Sequence, residues 1–231
     1  MLEQIGPEGQ QSLARASAIV IGAGGLGSPI LTYLVAAGVG RVGLIDADTV
    51  SSSNLNRQFL YAEADIGKPK AARAGERLAS QNGGVNIVAI GERLTHENAA
   101  KHLSGYDLVL GAVDSFGTRH VINRASAALR IPYIDGGLNG FCGTVMFSQP
   151  GVTACLNCVF PDRERAGGNV GVVGVTAGVI GSLEANLALL WLLHRRNPVA
   201  NKLIMYDGFK MCFDEIAINR DRNCPVCGNG V

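Results

Sequence analysis

The sequence has no excess of either charge. Twenty Lys and Arg stand against 19 Asp and Glu, a formal net charge of +1, which argues against a protein that grips nucleic acid through a broad positive face. It also lacks a charged N-terminal region followed by an apolar core, so no secretory signal is read and a cytoplasmic location is expected. No Pro/Ser-rich linker, internal repeat or low-complexity tract divides it. The one apolar run long enough to raise a membrane span, Val170 to Leu193, is interrupted by Glu184 and Asn186 and loosened by Gly171, Gly174, Gly178 and Gly181. It reads instead as a loop followed by a buried helix, with no membrane partner. His96, His102, His120 and His194 show no ligand spacing and are expected to be structural or exposed. What remains is a globular chain of 231 residues, 47% apolar, enough for a substantial core.

The stretch from Ser17 to Asp48 organises that chain. Ala18 to Ile21 is a short run of β-formers, and Ile30 to Ala37 repeats apolar residues at helical spacing. Between them lies Gly22-Ala23-Gly24-Gly25-Leu26-Gly27. A glycine at 22 permits a tight turn, a glycine at 24 lets backbone N–H groups approach a phosphate, and a helix starting near Gly27 points its positive end there. Asp46, about 20 residues farther on at the end of the second strand, is placed to accept hydrogen bonds from ribose hydroxyls. Glycines, flanking elements and acid together read as a nucleotide site.

Alternation of strand and helix patterns continues to about residue 135. Ser51-Ser52-Ser53-Asn54 offers caps to a short helix from Leu55 to Leu60 that carries Arg57 and Gln58. Helices are expected over Lys68–Gln81, His96–Leu103 and Phe116–Leu129, and strands over Val85–Ile90, Asp107–Leu110 and Pro132–Ile134. Asp114 therefore follows a strand end. From Phe141 the pattern changes to strand pieces, Thr144–Phe147, Leu203–Tyr206 and Phe213–Ile218, around one long helix near Val179–His194. The expected fold is α/β: a Rossmann-like, mostly parallel sheet flanked by helices, continuing into antiparallel strands. One domain spans 1–231, with a nucleotide-binding half (1–135) and a second half (136–231).

Six cysteines in a chain without an export signal favour metal ligands or free thiols over a disulfide framework. Cys155-Leu156-Asn157-Cys158 and Cys224-Pro225-Val226-Cys227 are two C-x-x-C pairs. Four thiolates close a tetrahedral zinc site with no position left for water, which implies a structural role. A thioredoxin-like redox pair would favour a single C-x-x-C near a first strand. Cys142 and Cys212 are left over, with packing as the default reading.

Taken in order, GAGGLGS at 22–28, DADTVSSSNLNRQ at 46–58, GKPKA at 67–71, DSFGTR at 114–119, CLNC at 155–158, GVIGSLEA at 178–185 and CPVCG at 224–228 resemble the ThiF/MoeB/HesA family over nearly the whole chain. Members of that family bind ATP and magnesium and adenylate the C-terminal glycine of a small ubiquitin-fold sulfur carrier. The resemblance implies that Gly22, Gly24, Gly25 and Gly27 form the phosphate turn and that Asp46 binds ribose. It places Asn54, Arg57, Gln58 and Lys70 around the nucleotide and gives Asp114 the magnesium ion. Arg57, Lys70 and Asp114 would be the catalytic set, because cations preorganised at the α-phosphate stabilise the charge that builds there. It further implies ATP, Mg2+ and Zn2+ as cofactors, and a homodimer. The partners would be a ThiS-like or MoaD-like carrier ending in Gly-Gly and a separate sulfur donor protein, in thiamine or molybdenum-cofactor biosynthesis.

Three departures accompany the resemblance. The family's arginine-containing opening segment is expected to be missing upstream of Met1-Leu2-Glu3-Gln4; the loop Ala166-Gly167-Gly168-Asn169-Val170 holds no cysteine for a covalent link to the carrier; and Ser115 stands where asparagine is usual. Two other functions share part of the pattern. An NAD-dependent oxidoreductase uses the same glycine turn and acid but leaves Arg57, Lys70 and the cysteine pairs unexplained. A non-catalytic scaffold would keep the fold and zinc without turnover.

Overall fold

The computed structural model describes residues 5–162 and 171–228. Ser17–Ile21 (β1) is buried along its whole length, as expected of a strand covered on both faces. Ala18 and Val20 enter one core and Ile19 and Ile21 the other, the alternation a strand imposes. Beside β1 run Arg41–Ile45 (β2) and Leu108–Gly111 (β4), both parallel to it; Asn86–Ile90 (β3) pairs outside β2. Tyr133–Asn139 (β5) pairs parallel with β4, and Cys142–Ser148 (β6), Lys202–Asp207 (β7) and Cys212–Ala217 (β8) then follow antiparallel. One sheet of eight strands results, ordered β3-β2-β1-β4-β5-β6-β7-β8.

Gly6–Arg15 (α1), Gly27–Ala36 (α2), Lys70–Gln81 (α3) and Gly174–His194 (α7) contribute to the core on one face of the sheet. His96–Leu103 (α4), Phe116–Leu129 (α5) and Leu156–Val159 (α6) contribute to the core on the other. Helix α7 is long and apolar enough to cross a membrane, but it packs against α2, β5 and β6 as a core helix. The chain order places the crossover point between these parallel neighbours β1 and β4, from which successive strands are added outward to either side. In parallel sheets ligands bind at such a point, outside the carboxyl ends of the strands.

The α/β reading therefore holds, with local differences. Leu55–Leu60 forms no α-helix: a 3₁₀ turn at Ser52–Asn54 gives way to turns. Around Asn54 the chain is held by local bonds: its side chain accepts from Ser51 N and its carbonyl from the N–H groups of both Arg57 and Gln58. β5 extends well past Ile134 because Gly136 and Gly137 are paired sheet residues rather than a turn. Helix α1, begun by Gly6-Pro7, and the four-residue α6 were not legible as periodic patterns.

Under α7 lies a buried charged cluster. Arg119, stacked 4.5 Å from the Phe116 ring, makes an ion pair with Asp135, which Tyr133 also reaches through its hydroxyl. Glu184 is fully buried above Gly136, where a Cβ would stand 2.0 Å from its Oε1. Neither Glu184 oxygen meets a hydrogen-bond donor among the described residues. Burial first, and then the charge of Asp135, push this carboxyl well above the usual range despite Arg119, which favours its neutral form. A raised folded pKa contributes stability that is fully present below the unfolded carboxyl value and is lost as pH rises toward the folded value. We expect wild-type stability to fall from about pH 5 upward by as much as about 1.4 kcal/mol per pH unit through this group. Glu184→Gln should remove that slope, which urea denaturation of both proteins at pH 5 and pH 8 will show.

Candidate nucleotide site and metal centre

The glycine turn sits at the carboxyl end of β1 and is held from three sides. Gly22 has φ +98°, and a Cβ there would lie 2.4 Å from Ala112 O; one on Gly27 would lie 2.1 Å from Gly22 O. Both positions therefore require glycine for backbone packing. Gly24 and Gly25 serve differently: their missing side chains leave space bounded by Gln58 Nε2 at 3.4 Å and Arg57 Cδ at 3.4 Å. Asp46 closes the turn, accepting from Ala23 N through Oδ2 at 2.8 Å and from Asp48 N through Oδ1 at 2.9 Å.

Arg57 is aimed by its Nη1, which donates to Ser53 O and Asn56 Oδ1 at 2.9 Å each. No carboxylate pairs with it among the described residues, so its charge stays uncompensated beside Gly25. Gln58 is 4% exposed and its Oε1 has no partner among the described residues, an orphaned acceptor at the turn that fits a hydroxyl or amine of a bound group. Lys70, the first residue of α3, is buried with Nζ 3.2 Å from Asp48 Oδ2. Asp114 is exposed two residues beyond Ala112, the residue whose carbonyl meets Gly22. It does not cap α5; Ser115 does, accepting from Thr118 N at 3.2 Å. That leaves the Asp114 carboxylate free of helix-capping duty and accounts for a serine at 115. A lone accessible carboxylate suits magnesium, which takes one or two carboxylates and completes its shell with phosphates and water.

Two residues of this site were missed. Tyr61 donates its hydroxyl to Ala23 O at 2.9 Å and lies 3.4 Å from Lys70 O, linking the glycine turn to the start of α3. Burial and then the charges of Asp46, Asp48 and Asp65 raise its pKa, keeping it a neutral donor. Asp48, the counter-ion of Lys70, stands in the same acidic doublet as Asp46; only that doubling signals it. The cysteine-free loop at 166–170 lies outside the described residues.

The four paired cysteines converge. Their sulfurs all lie within 4.8 Å of one another, with Cys155–Cys158 at 3.9 Å, Cys155–Cys224 at 3.7 Å and Cys158–Cys227 at 3.4 Å. A tetrahedron of thiolates about 2.3 Å from zinc has edges of about 3.8 Å, so the cluster fits the ion. Burial drives the Cys155 thiol strongly upward. At Cys224 burial acts in the same direction, but N–H groups of Cys227, Val226 and Asn157 outweigh it and bring the thiol down to about 7. Arg220, unremarked in the sequence, clamps the second pair by donating from Nε to Cys227 O at 2.8 Å and from Nη1 to Gly151 O at 2.8 Å. Cys142 and Cys212 are half-buried rather than enclosed. They flank Asp207 in register, Cys142 on β6 and Cys212 on the edge strand β8, which is largely exposed.

We expect one zinc per chain by elemental analysis of protein purified without chelator. Cys224→Ser should lower the unfolding midpoint clearly, because metal-binding free energy is folding free energy at such centres. Equal stability of mutant and wild type would count against the centre.

Sequence comparison bears on the whole chain. The model of the ThiF family matches residues 1–226. A sulfur carrier protein adenylyltransferase of Thermus thermophilus is 45% identical over 239 residues, covering 99% of this chain and 88% of the relative. The sulfur carrier protein ThiS adenylyltransferase of Escherichia coli is 38% identical, covering 99% and 92%. Among solved structures, that of the microcin C7 biosynthetic enzyme MccB with N-formylated MccA superposes with a TM-score of 0.87 at 22% identity, covering 95% of this chain and 69% of MccB; at that identity the likeness speaks for the fold alone. With glycine turn, parallel sheet and four-cysteine cluster in the arrangement described, and relatives this similar along nearly their full length, the chain belongs to the ThiF family.

Proposed function

We propose that this protein uses ATP and magnesium to adenylate the C-terminal glycine carboxylate of a small ubiquitin-fold sulfur carrier, in thiamine or molybdenum-cofactor assembly. The observation that carries this reading is Arg57, an uncompensated cation beside Gly25 in a turn otherwise shaped for phosphate. The names of the Thermus and E. coli relatives support it.

In the proposed reaction a carrier carboxylate oxygen attacks the α-phosphorus, the bond to the bridging oxygen breaks, and pyrophosphate leaves with the electron pair. Asp46 would hold the ribose while keeping the turn closed. Asn54 and Gln58 would orient the nucleotide, and Arg57 and Lys70 would face the charge that builds on the α-phosphate oxygens. For this Lys70 must exchange part of its contact with Asp48 for phosphate. Asp114 would hold the magnesium ion, which shields phosphate charge and orients pyrophosphate. No enzyme nucleophile is needed, since holding carboxylate and phosphorus in line supplies much of the rate advantage. The acyl-adenylate would then pass to a sulfur donor on a separate protein, and the enzyme would work as a homodimer.

Three results test the reading. Arg57→Ala, Lys70→Ala and Asp114→Ala should each lower carrier-dependent ATP–pyrophosphate exchange about 10²- to 10³-fold with unchanged circular dichroism; full activity in any one removes that residue from the site. Calorimetric titration should show ATP–Mg binding more tightly than NAD, and the reverse order would favour an oxidoreductase. A non-reducing gel after incubation with ATP, magnesium and carrier should show no thiol-sensitive adduct of chain and carrier; an adduct mapped to Cys142 or Cys212 would overturn the separate-donor scheme.

A further inference from the structure

A zinc ion bound by four thiolates carries two net negative charges, and here three of the four cysteines are at most 5% exposed. Buried charge of that size requires hydrogen-bond donors around it. Backbone groups of the second knuckle region supply some: Val226 N reaches Cys224 Sγ and Asp221 N reaches Cys158 Sγ, each at 3.5 Å. Two side chains also donate, Asn123 Nδ2 at 3.6 Å from Cys155 Sγ and Asn157 Nδ2 at 3.5 Å from Cys224 Sγ.

Both asparagines are buried, and both are used at each end. Asn123 Oδ1 accepts from Leu156 N at 3.2 Å, and Asn157 Oδ1 accepts from Asp162 N at 3.1 Å. These backbone donors fix the amide orientation: a flipped amide would turn N–H toward N–H. The –NH2 group of each is thereby committed to sulfur. Asn123 lies in the middle of α5, the helix whose first residues follow Asp114. Asn157 lies within the first C-x-x-C pair yet reaches across to a thiolate of the second, and it also pins Asp162, which Arg124 of α5 holds at 2.6 Å.

We propose that Asn123 and Asn157 are positioning residues of the metal centre. Each gives an N–H to one thiolate, and together they join both knuckles to helix α5. This rests on the four-thiolate metal reading and extends it from the ligands to their supports. Removal of such outer groups typically costs 10- to 100-fold in metal affinity.

The test is zinc affinity by competition with a chromophoric chelator, and the thiolate-to-metal charge-transfer band of the Co2+-substituted protein. Asn123→Asp and Asn157→Asp keep the oxygen that accepts the backbone N–H but replace the donor to sulfur with an anion. Asn82→Asp is the control: Asn82 also works at both ends, donating to Val35 O and accepting from Gly84 N, with no sulfur involved. The expected result is a 10- to 100-fold loss of affinity and a charge-transfer band at lower energy for the first two, with neither change for Asn82→Asp. Unchanged affinity and band in the folded Asn157→Asp protein, or an equal loss in the control, would overturn the assignment. If Asn123→Asp does not fold, Asn157→Asp decides alone. Wild-type protein that binds neither Zn2+ nor Co2+ would sink the metal centre itself and the proposal with it.

Discussion

Three segments of backbone meet at the carboxyl end of β1 with no room for a side chain between them. The carbonyl of Ala112 closes on Gly22, and the carbonyl of Gly22 closes on Gly27. This approach brings β4 and α2 onto the same turn and so fixes where the chain after β4, including Asp114, leaves the sheet. Asp46 and Tyr61 then secure the turn at the two polar groups of Ala23, its N–H and its carbonyl. Through Tyr61 the constraint passes to the start of α3 and Lys70. Residues far apart in the chain thus gather at one place because a single turn must be tight.

A second constraint acts at the other end of α5. The paired cysteines hold residues 155–158 and 224–227 together, and Ala127 of α5 packs in the same small core. Its first turn follows Asp114 and its later turns carry Asn123 and Ala127, so the helix spans from the candidate magnesium ligand to the metal knuckle. The buried Arg119–Asp135 pair lies between, with α7 above it supplying Glu184. Of the two acids in this interior, Asp135 is paired with the one guanidinium, and burial beside that pair favours the neutral form of Glu184.

Sequence pattern reached most of this because the signals were periodic or chemically distinctive. β1 reads as a buried strand from Ala18 to Ile21, α4 and α5 begin and end where their apolar spacing places them, and four cysteines in two pairs admit few alternatives. The misses share a cause: contacts whose partner is distant in sequence. Gly136 and Gly137 lie beyond the strand expected over Pro132–Ile134 yet are paired in the sheet, and Glu184 occupies the space a Cβ at 136 would need. Tyr61, Arg220 and Asn123 carry no local motif of their own; only the folded chain sets them against Ala23, Cys227 and Cys155.

The central claim is that these residues serve transfer of AMP to a carrier carboxylate. Intact-mass analysis of the carrier after brief incubation with this protein, ATP and magnesium, in the absence of any sulfur donor, tests it most directly. The account predicts a carrier heavier by one AMP moiety, discharged by hydroxylamine, while the mass of this chain is unchanged. A carrier of unaltered mass in the presence of bound ATP–Mg, for carriers of both the ThiS and MoaD type, would contradict it.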